Sequence, residues 1–166
     1  MNYQIRPAIK TDEPFLWQML YYAAHMDEDG ASLESARTNR DLMSYVEDWG
    51  DRAGDIGFVA QASTGEDAGA AWIRMMPNES PLYRVVSRGI PELAIAVAPE
   101  YIGKGAGALL LSHLLDAARE THRAIVLSVR ASNPAKRLYD RVGFVTVAEI
   151  ANRVGTHSLV MKVDFR

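Results

Sequence analysis

The chain of 166 residues is 48% apolar and 23% charged, has no cysteine and carries a formal net charge of -3. Both fractions sit near the soluble average, which argues against a disordered tail protein and for one domain over residues 1–166, long enough to bury about 70% of its unfolded surface. The missing thiols exclude disulfides, thiolate metal sites and sulfur nucleophiles, and the acidic balance argues against a broad nucleic-acid surface.

Tyr3 to Pro7 reads as a short strand. Thr11-Asp12-Glu13-Pro14 reads as a helix start with a capping side chain and an early proline, and Phe15, Leu16, Met19, Leu20 and Ala23 follow at helical spacing. A second helix is expected between Leu33 and Trp49. Ile56 to Ala62 and Ala70 to Met76 form a predicted hairpin around the turn residues Ser63 to Asp67, and Pro77 to Gly89 reads as a loop. The second half alternates: strand Glu92–Val97, helix Gly105 to about Thr121, strand Ala124–Val129, helix Pro134–Val142, then strands Phe144–Ile150 and His157–Val163. An antiparallel front joined to a β-α-β back predicts an α/β fold: a three-layer mixed sheet flanked by helices.

An uninterrupted apolar run reaches only six residues, as at Leu93 to Ala98, against the ~18 that a spanning helix needs. No membrane segment is expected. Asn2 to Pro7 lack the apolar stretch of a secretory signal, and with no cysteine the cytoplasm is the expected compartment. The four histidines, His25, His113, His122 and His157, show no metal-binding spacing, so no metal is expected. Charge is uneven. Pro99 to Gly143 holds seven Lys/Arg against four acids, net +3, which leaves -6 for the rest. An acidic body with one basic stretch suits a discrete anionic ligand.

The most informative segment is Leu93-Ala94-Ile95-Ala96-Val97-Ala98-Pro99-Glu100-Tyr101-Ile102-Gly103-Lys104-Gly105-Ala106-Gly107-Ala108, a strand feeding a glycine turn that opens an apolar helix. Glycines permit close backbone approach and positive φ, and a helix N-terminus presents free N–H groups, so phosphate settles there. A tight packing turn is the alternative; three alternating glycines with Lys104 favour phosphate. Lys104 is followed by Gly105, so no P-loop is formed. Gly103, Gly105 and Ala108 satisfy the dinucleotide pattern formally, but the next strand ends in Val129-Arg130 where an acid is needed.

The second block is Asn133-Pro134-Ala135-Lys136-Arg137-Leu138-Tyr139-Asp140-Arg141-Val142-Gly143-Phe144. Asn133 is a good N-cap, Pro134 fits the first turn and Gly143 fits the left-handed residue past the end. Leu138 and Val142 read as core, and Tyr139 beside them as an ordinary amphipathic filler.

With Val97-Ala98-Pro99 and Ile102 to Gly107 followed by this second block, the sequence resembles the GNAT superfamily of acyl-CoA-dependent N-acyltransferases. It departs from the family signature at Ile102, where Arg or Gln is usual, which leaves more of the pyrophosphate binding to backbone N–H groups. The resemblance implies acetyl-CoA as co-substrate, bound by Ile95, Ala96 and Val97 along the strand edge, by Ile102 to Ala108 at the turn, and by Asn133, Lys136 and Tyr139. Arg137 would also lie near the phosphates. A main-chain N–H near Ile95 would polarise the thioester carbonyl. Tyr139 would face the thioester sulfur as proton donor, and Glu92 at the strand start is the candidate base, acting through water; its alternative is a solvated strand-end carboxylate.

The implied activity is N-acetyl transfer to a primary amine of a small molecule, amino acid or peptide N-terminus, by direct attack in a ternary complex. A non-catalytic acyl-CoA sensor or interaction module is the alternative that Ile102 leaves open. Ser128, Ser132 and Thr156 lack the His-acid partners of a nucleophile. In relatives the connection between the first two helices borders the acceptor pocket, so His25 and Asp27-Glu28-Asp29 point to a cationic amine, although a solvated loop also accounts for that charge run. Trp72, Met75, Met76 and Tyr83 read equally as lining of an apolar acceptor pocket or as core, with Trp72 leaning to core. No nucleic acid or membrane partner is expected; the oligomeric state, a homodimer included, stays open.

Overall fold

A computed structural model describes residues 2–152 and 155–165. In chain order the elements are β1 (Tyr3–Pro7), α1 (Glu13–Ala23), α2 (Leu33–Thr38), α3 (Arg40–Val46), β2 (Ile56–Ala62), β3 (Asp67–Arg74), β4 (Glu92–Val97), α4 (Ala106–Ala118), β5 (Ala124–Arg130), α5 (Lys136–Arg141), β6 (Val145–Ala151) and β7 (His157–Asp164). The seven strands form one sheet in the order β1-β2-β3-β4-β5-β7-β6, antiparallel throughout except for the parallel pair β4–β5. This is the mixed sheet with flanking helices that the alternation of elements predicts.

The strand period of two divides the core between the faces of the sheet. From β3, Ala68, Ala70 and Trp72 pack with Leu16, Met19 and Trp49 on the side of α1 to α3, while Ala71 and Ile73 pack with Leu110, Leu111 and Leu114 of α4. Trp72, 1% exposed, is a core residue. Helix α4 buries Leu110, Leu111, Leu114, Leu115 and Ala118, an i, i+1, i+4, i+5, i+8 stripe; each fully buried leucine is worth about 1.5–3 kcal/mol of transfer free energy.

Three helical segments depart from the sequence expectation: α5 starts at Lys136 with Ala135 at its N-cap, because the Asn133 side chain closes a turn on the Ala135 N–H (2.9 Å) ahead of the helix, and the other two lie in the first half of the chain. Before α1 the chain makes a 3-10 turn over Lys10–Asp12, and the Asp12 carboxylate turns back to the Ile9 N–H (2.8 Å) and to both Arg6 guanidinium nitrogens (2.9 Å each). It ties β1 to the helix entry and makes no side-chain cap for α1. The Leu33–Trp49 region is two helices because Asn39 is extended and its Oδ1 accepts from the Asp41 N–H at 2.9 Å, capping α3.

The far end of α3 is held by Arg74. Its buried guanidinium donates to the carbonyls of Ser44 (3.5 Å), Glu47 (2.6 Å) and Asp48 (3.1 Å) and grips Asp55 through Nε and Nη2 at 3.0 and 2.9 Å. The Asp48 carbonyl also accepts from the Asp51 N–H at 3.1 Å and that of Ser44 from Arg52 at 3.5 Å, so the short bond to Glu47 is the one that Arg74 alone supplies at the helix end.

Only Glu92 and Val126 stand in register between β4 and β5. Beyond that point the two parallel strands part, so the edge of β4 toward Val97 has no strand partner on the β5 side. No helix among the described residues is long and apolar enough to cross a membrane.

Candidate active site

A cleft of about 880 Å³ opens where β4 and β5 separate. One bank is the free edge of β4, including Ile95, Ala96 and Val97. It continues through Ile102, Gly103 and Gly105 to Gly107 and Ala108 at the start of α4. The other bank carries Ser128 and Arg130 of β5, then Asn133, Leu138, Tyr139 and Arg141. Its far wall brings in Tyr22, His25, Asp27 and Glu28 from the end of α1 and the loop after it, together with Leu42 and Tyr45 of α3. Glu92 lies at the floor.

The glycine turn has the geometry for an anion. Gly103 and Gly105 are left-handed (φ +80° and +89°), and a Cβ built at either would meet no atom within 4 Å. The amides of Ala106, Gly107 and Ala108, in the first turn of α4, have no acceptor among the described residues. Gly107 and Ala108 line the cleft, with the positive end of the helix dipole behind them. Ile102 is 66% exposed at its mouth.

Three of the residues expected to bind a co-substrate do not line the cleft. Lys104 directs its ammonium to the Glu100 carbonyl at 3.2 Å. Ala106 is buried beneath the first turn of α4. Lys136 pairs with Asp140 at 2.8 Å, the i, i+4 partner that a helix face supplies locally. Arg141, one turn further along α5, faces the cleft instead of Arg137. Met75, Met76 and Tyr83 lie outside it as well; the Tyr83 hydroxyl donates at 3.4 Å toward the carbonyls of Met76 and Ile90.

Glu92 is not a solvated strand-end carboxylate. It is 3% exposed, its Oε2 accepts a very short hydrogen bond from the Tyr45 hydroxyl, and its buried Oε1 has no hydrogen-bond partner among the described residues. Burial pushes its pKa up from 4.5 to about 7, with the Tyr45 bond pulling the other way. Tyr45 is raised well above its ordinary value by burial and by the Glu92 charge. The main-chain carbonyl of Tyr45 in turn accepts from Trp72 Nε1 at 2.9 Å.

Tyr139 is 7% exposed, packed edge-on against Phe144 with ring centroids 6.0 Å apart, and burial raises its pKa to about 12. It is therefore a neutral phenol at every physiological pH.

The far wall is tied to the second bank. His25 sits just past α1 in a left-handed conformation (φ 58°) that costs a non-glycine residue about 1–2 kcal/mol. Its Nε2 lies 3.3 Å from the Asn133 amide nitrogen. Arg130 reaches Asp29 (Nη2–Oδ2 3.0 Å) and the Ala24 carbonyl (3.4 Å). Asp27 and Glu28 line this wall of the cleft, and the Glu28 carboxylate is engaged by His25 Nδ1 at 2.5 Å. Among the described residues, no group of three or more His, Asp or Glu could hold a metal ion.

Tyr45 and Arg130 were not visible as site residues in the sequence. Tyr45 lies 47 positions before Glu92, and the only local hint was the Asn39 cap that starts its helix.

Comparison with known proteins places this architecture. A family model described as the acetyltransferase (GNAT) family matches residues 14–144. No curated protein matches the chain. Among solved structures, the ribosomal-protein-alanine N-acetyltransferase from Brucella melitensis is 23% identical, with 98% of this chain and 99% of that one covered and a TM-score of 0.68. A GCN5-related N-acetyltransferase from Kribbella flavida is 22% identical, with 98% of each chain covered and a TM-score of 0.67. A spermidine N-acetyltransferase SpeG chimera from Vibrio cholerae and hSSAT is 20% identical over 99% of this chain and 96% of that one, TM-score 0.66. At these identities the likeness is one of fold.

Proposed function

Because the chain belongs to the GNAT acetyltransferase family, we propose that it transfers an acetyl group from acetyl-CoA to a primary amine of a small molecule, amino acid or peptide N-terminus, by direct attack in the cleft between β4 and β5. The single observation that carries this reading is the joining of two unlike ends in one cleft: free amides at a glycine turn, and a buried carboxyl that titrates near neutrality.

The residues suit that co-substrate. The open space at Gly103 and Gly105 and the amides of Gly107 and Ala108 accept a diphosphate without displacing protein atoms. The unpaired edge of β4 from Ile95 to Val97 offers main-chain partners to the amide-bearing arm, with Asn133 opposite. Acetyl-CoA supplies a thioester carbon open to attack and a thiol leaving group. A β4 main-chain N–H near Ile95 donates to the thioester oxygen, a preorganised contact of the kind whose loss costs ~100-fold to ~1000-fold.

Glu92 removes the proton that the attacking amine must lose, which a carboxyl titrating near 7 does in its ionised form above that pH. Tyr139 donates a hydrogen bond to the departing sulfur. With its pKa near 12, against about 8.5 for an ordinary thiol, complete proton transfer from the phenol is uphill, so its part is donation to the developing charge. Asp27, which lines the cleft wall beside the His25–Glu28 pair, favours an acceptor that carries positive charge. Two of the compared structures are named for N-acetyl transfer to spermidine and to a ribosomal-protein alanine, which supports an amine acceptor.

The test is a panel of amines offered with acetyl-CoA and a thiol-detecting reagent. Acceptor-dependent release of CoA is the expected result; binding of acetyl-CoA with no release for any amine would instead establish a non-catalytic sensor.

A further inference from the structure

Resting on the assignment of Glu92 as base, we propose that Tyr45 is a second catalytic residue, the cleft-facing end of the base, whose hydroxyl takes the proton from the acceptor amine as it passes its own proton to Glu92. Glu92 is 3% exposed and its Oε1 is sealed from solvent with no partner. Its Oε2 is occupied by the Tyr45 hydroxyl. Tyr45, partly buried, lines the far wall of the cleft above Glu92 at its floor. The one hydrogen-bonded route out of the carboxylate, among the described residues, therefore runs through Tyr45.

The step balances without leaving a charge on the tyrosine. The N–H bond of the amine breaks as an O–H bond forms at Tyr45; the original Tyr45 O–H bond breaks as an O–H bond forms at Glu92 Oε2. The carboxylate ends as a neutral acid and the phenol is regenerated, so no tyrosinate is formed. That matters because burial beside Glu92 makes the tyrosinate inaccessible. The relay is also held in place from outside. Trp72 fixes the Tyr45 carbonyl, and Arg74 fixes the carbonyls just beyond it at the end of α3.

The charged and titratable groups around this pair are few. Asp41 on α3 acts on Tyr45, and Tyr83 in the loop before β4 feels Glu92. Tyr22 at the end of α1 shares the cleft. Arg74 on β3 stands opposite Glu92 in register, but its guanidinium is taken by Asp55. On β5 the opposing residue is Val126.

The test compares Tyr45→Phe with Glu92→Gln, using the pH profile of kcat/KM for an acceptor found in the amine panel and, in the free protein, the carboxyl carbon-13 NMR titration of Glu92. Loss of a hydrogen bond to a charged group raises the Glu92 pKa by about one unit or more. The relay predicts that shift together with a rate about 100-fold lower that does not recover above the shifted pKa. Recovery of the Tyr45→Phe rate at high pH would overturn the relay while leaving Glu92 as base, since the hydroxyl would then only position the carboxylate. An unchanged profile for Glu92→Gln would overturn both. Substitution of 3-fluorotyrosine at position 45, which keeps the hydroxyl, is expected to restore at least about a third of the rate; failure to do so in a folded protein would also contradict the relay.

Discussion

Arg74 and Glu92 occupy directly opposed positions on β3 and β4, yet the two side chains do not pair. The guanidinium turns to Asp55 and the α3 carbonyls, and the carboxylate turns to Tyr45. A cation at this point would have held Glu92 low; its diversion leaves burial in control and brings the carboxyl to the range in which a base works at neutral pH.

Arg74 should accordingly behave as a structural residue. Arg74→Leu leaves Asp55 buried without its counter-ion and frees the Glu47 carbonyl, and unpairing a buried ion of this kind costs about 3–5 kcal/mol. Urea unfolding of the variant should show that loss. A cost below about 1 kcal/mol would mean that Asp55 and the end of α3 find other partners.

Glu92 makes the stability of the fold depend on pH in a definite direction. Its folded pKa of about 7 lies above the ordinary 4.5, so the folded state binds the proton more tightly. The contribution is full below pH 4.5 and is lost as pH rises through 7. Between pH 5.5 and pH 8 the loss is about 2 kcal/mol. Glu92→Gln should abolish that part of the slope, as measured by urea midpoints at the two pH values. An identical slope in the variant would show that Glu92 is not the group that titrates.

Tyr139 should matter for turnover rather than for binding. Tyr139→Phe keeps the ring against Phe144 and removes only the hydroxyl, so acetyl-CoA affinity should stay within about threefold while kcat falls about 100-fold. With its pKa near 12, Tyr139 contributes no limb to the rate profile between pH 6 and 9. Equal kcat values in a folded variant would remove the hydroxyl from the mechanism.

How much of this could be read from the chain depended on how local each signal was. The strand, the glycine turn and the helix from Glu92 to Ala118 are written in consecutive residues, as is Gly143 with its φ of +108°; Asn133, read as the cap of the next helix, instead closes the turn before it on the Ala135 N–H. The separation of β4 from β5 is a matter of register between distant segments and has no local mark. Tyr45 meets Glu92 only because Asn39 breaks the expected single helix and turns α3 toward the sheet. Charge alone places no side chain: Lys136 finds Asp140 one turn away, and packing decides that Arg141 faces the cleft.

The claim on which the rest stands is that the first turn of α4 grips the diphosphate of an acyl-CoA, and Gly107 allows it to be tested without disturbing the fold. A Cβ there would meet only Leu138 and Val97 at 3.8 and 3.9 Å, and an acid in the first turn of a helix is stabilising. A calorimetric titration of acetyl-CoA into the protein and into Gly107→Asp is therefore direct. One-to-one binding that weakens at least about tenfold in a variant of undiminished stability is the predicted result, since the new carboxylate repels the diphosphate. No heat with the unaltered protein, or equal affinity in the two, would contradict it.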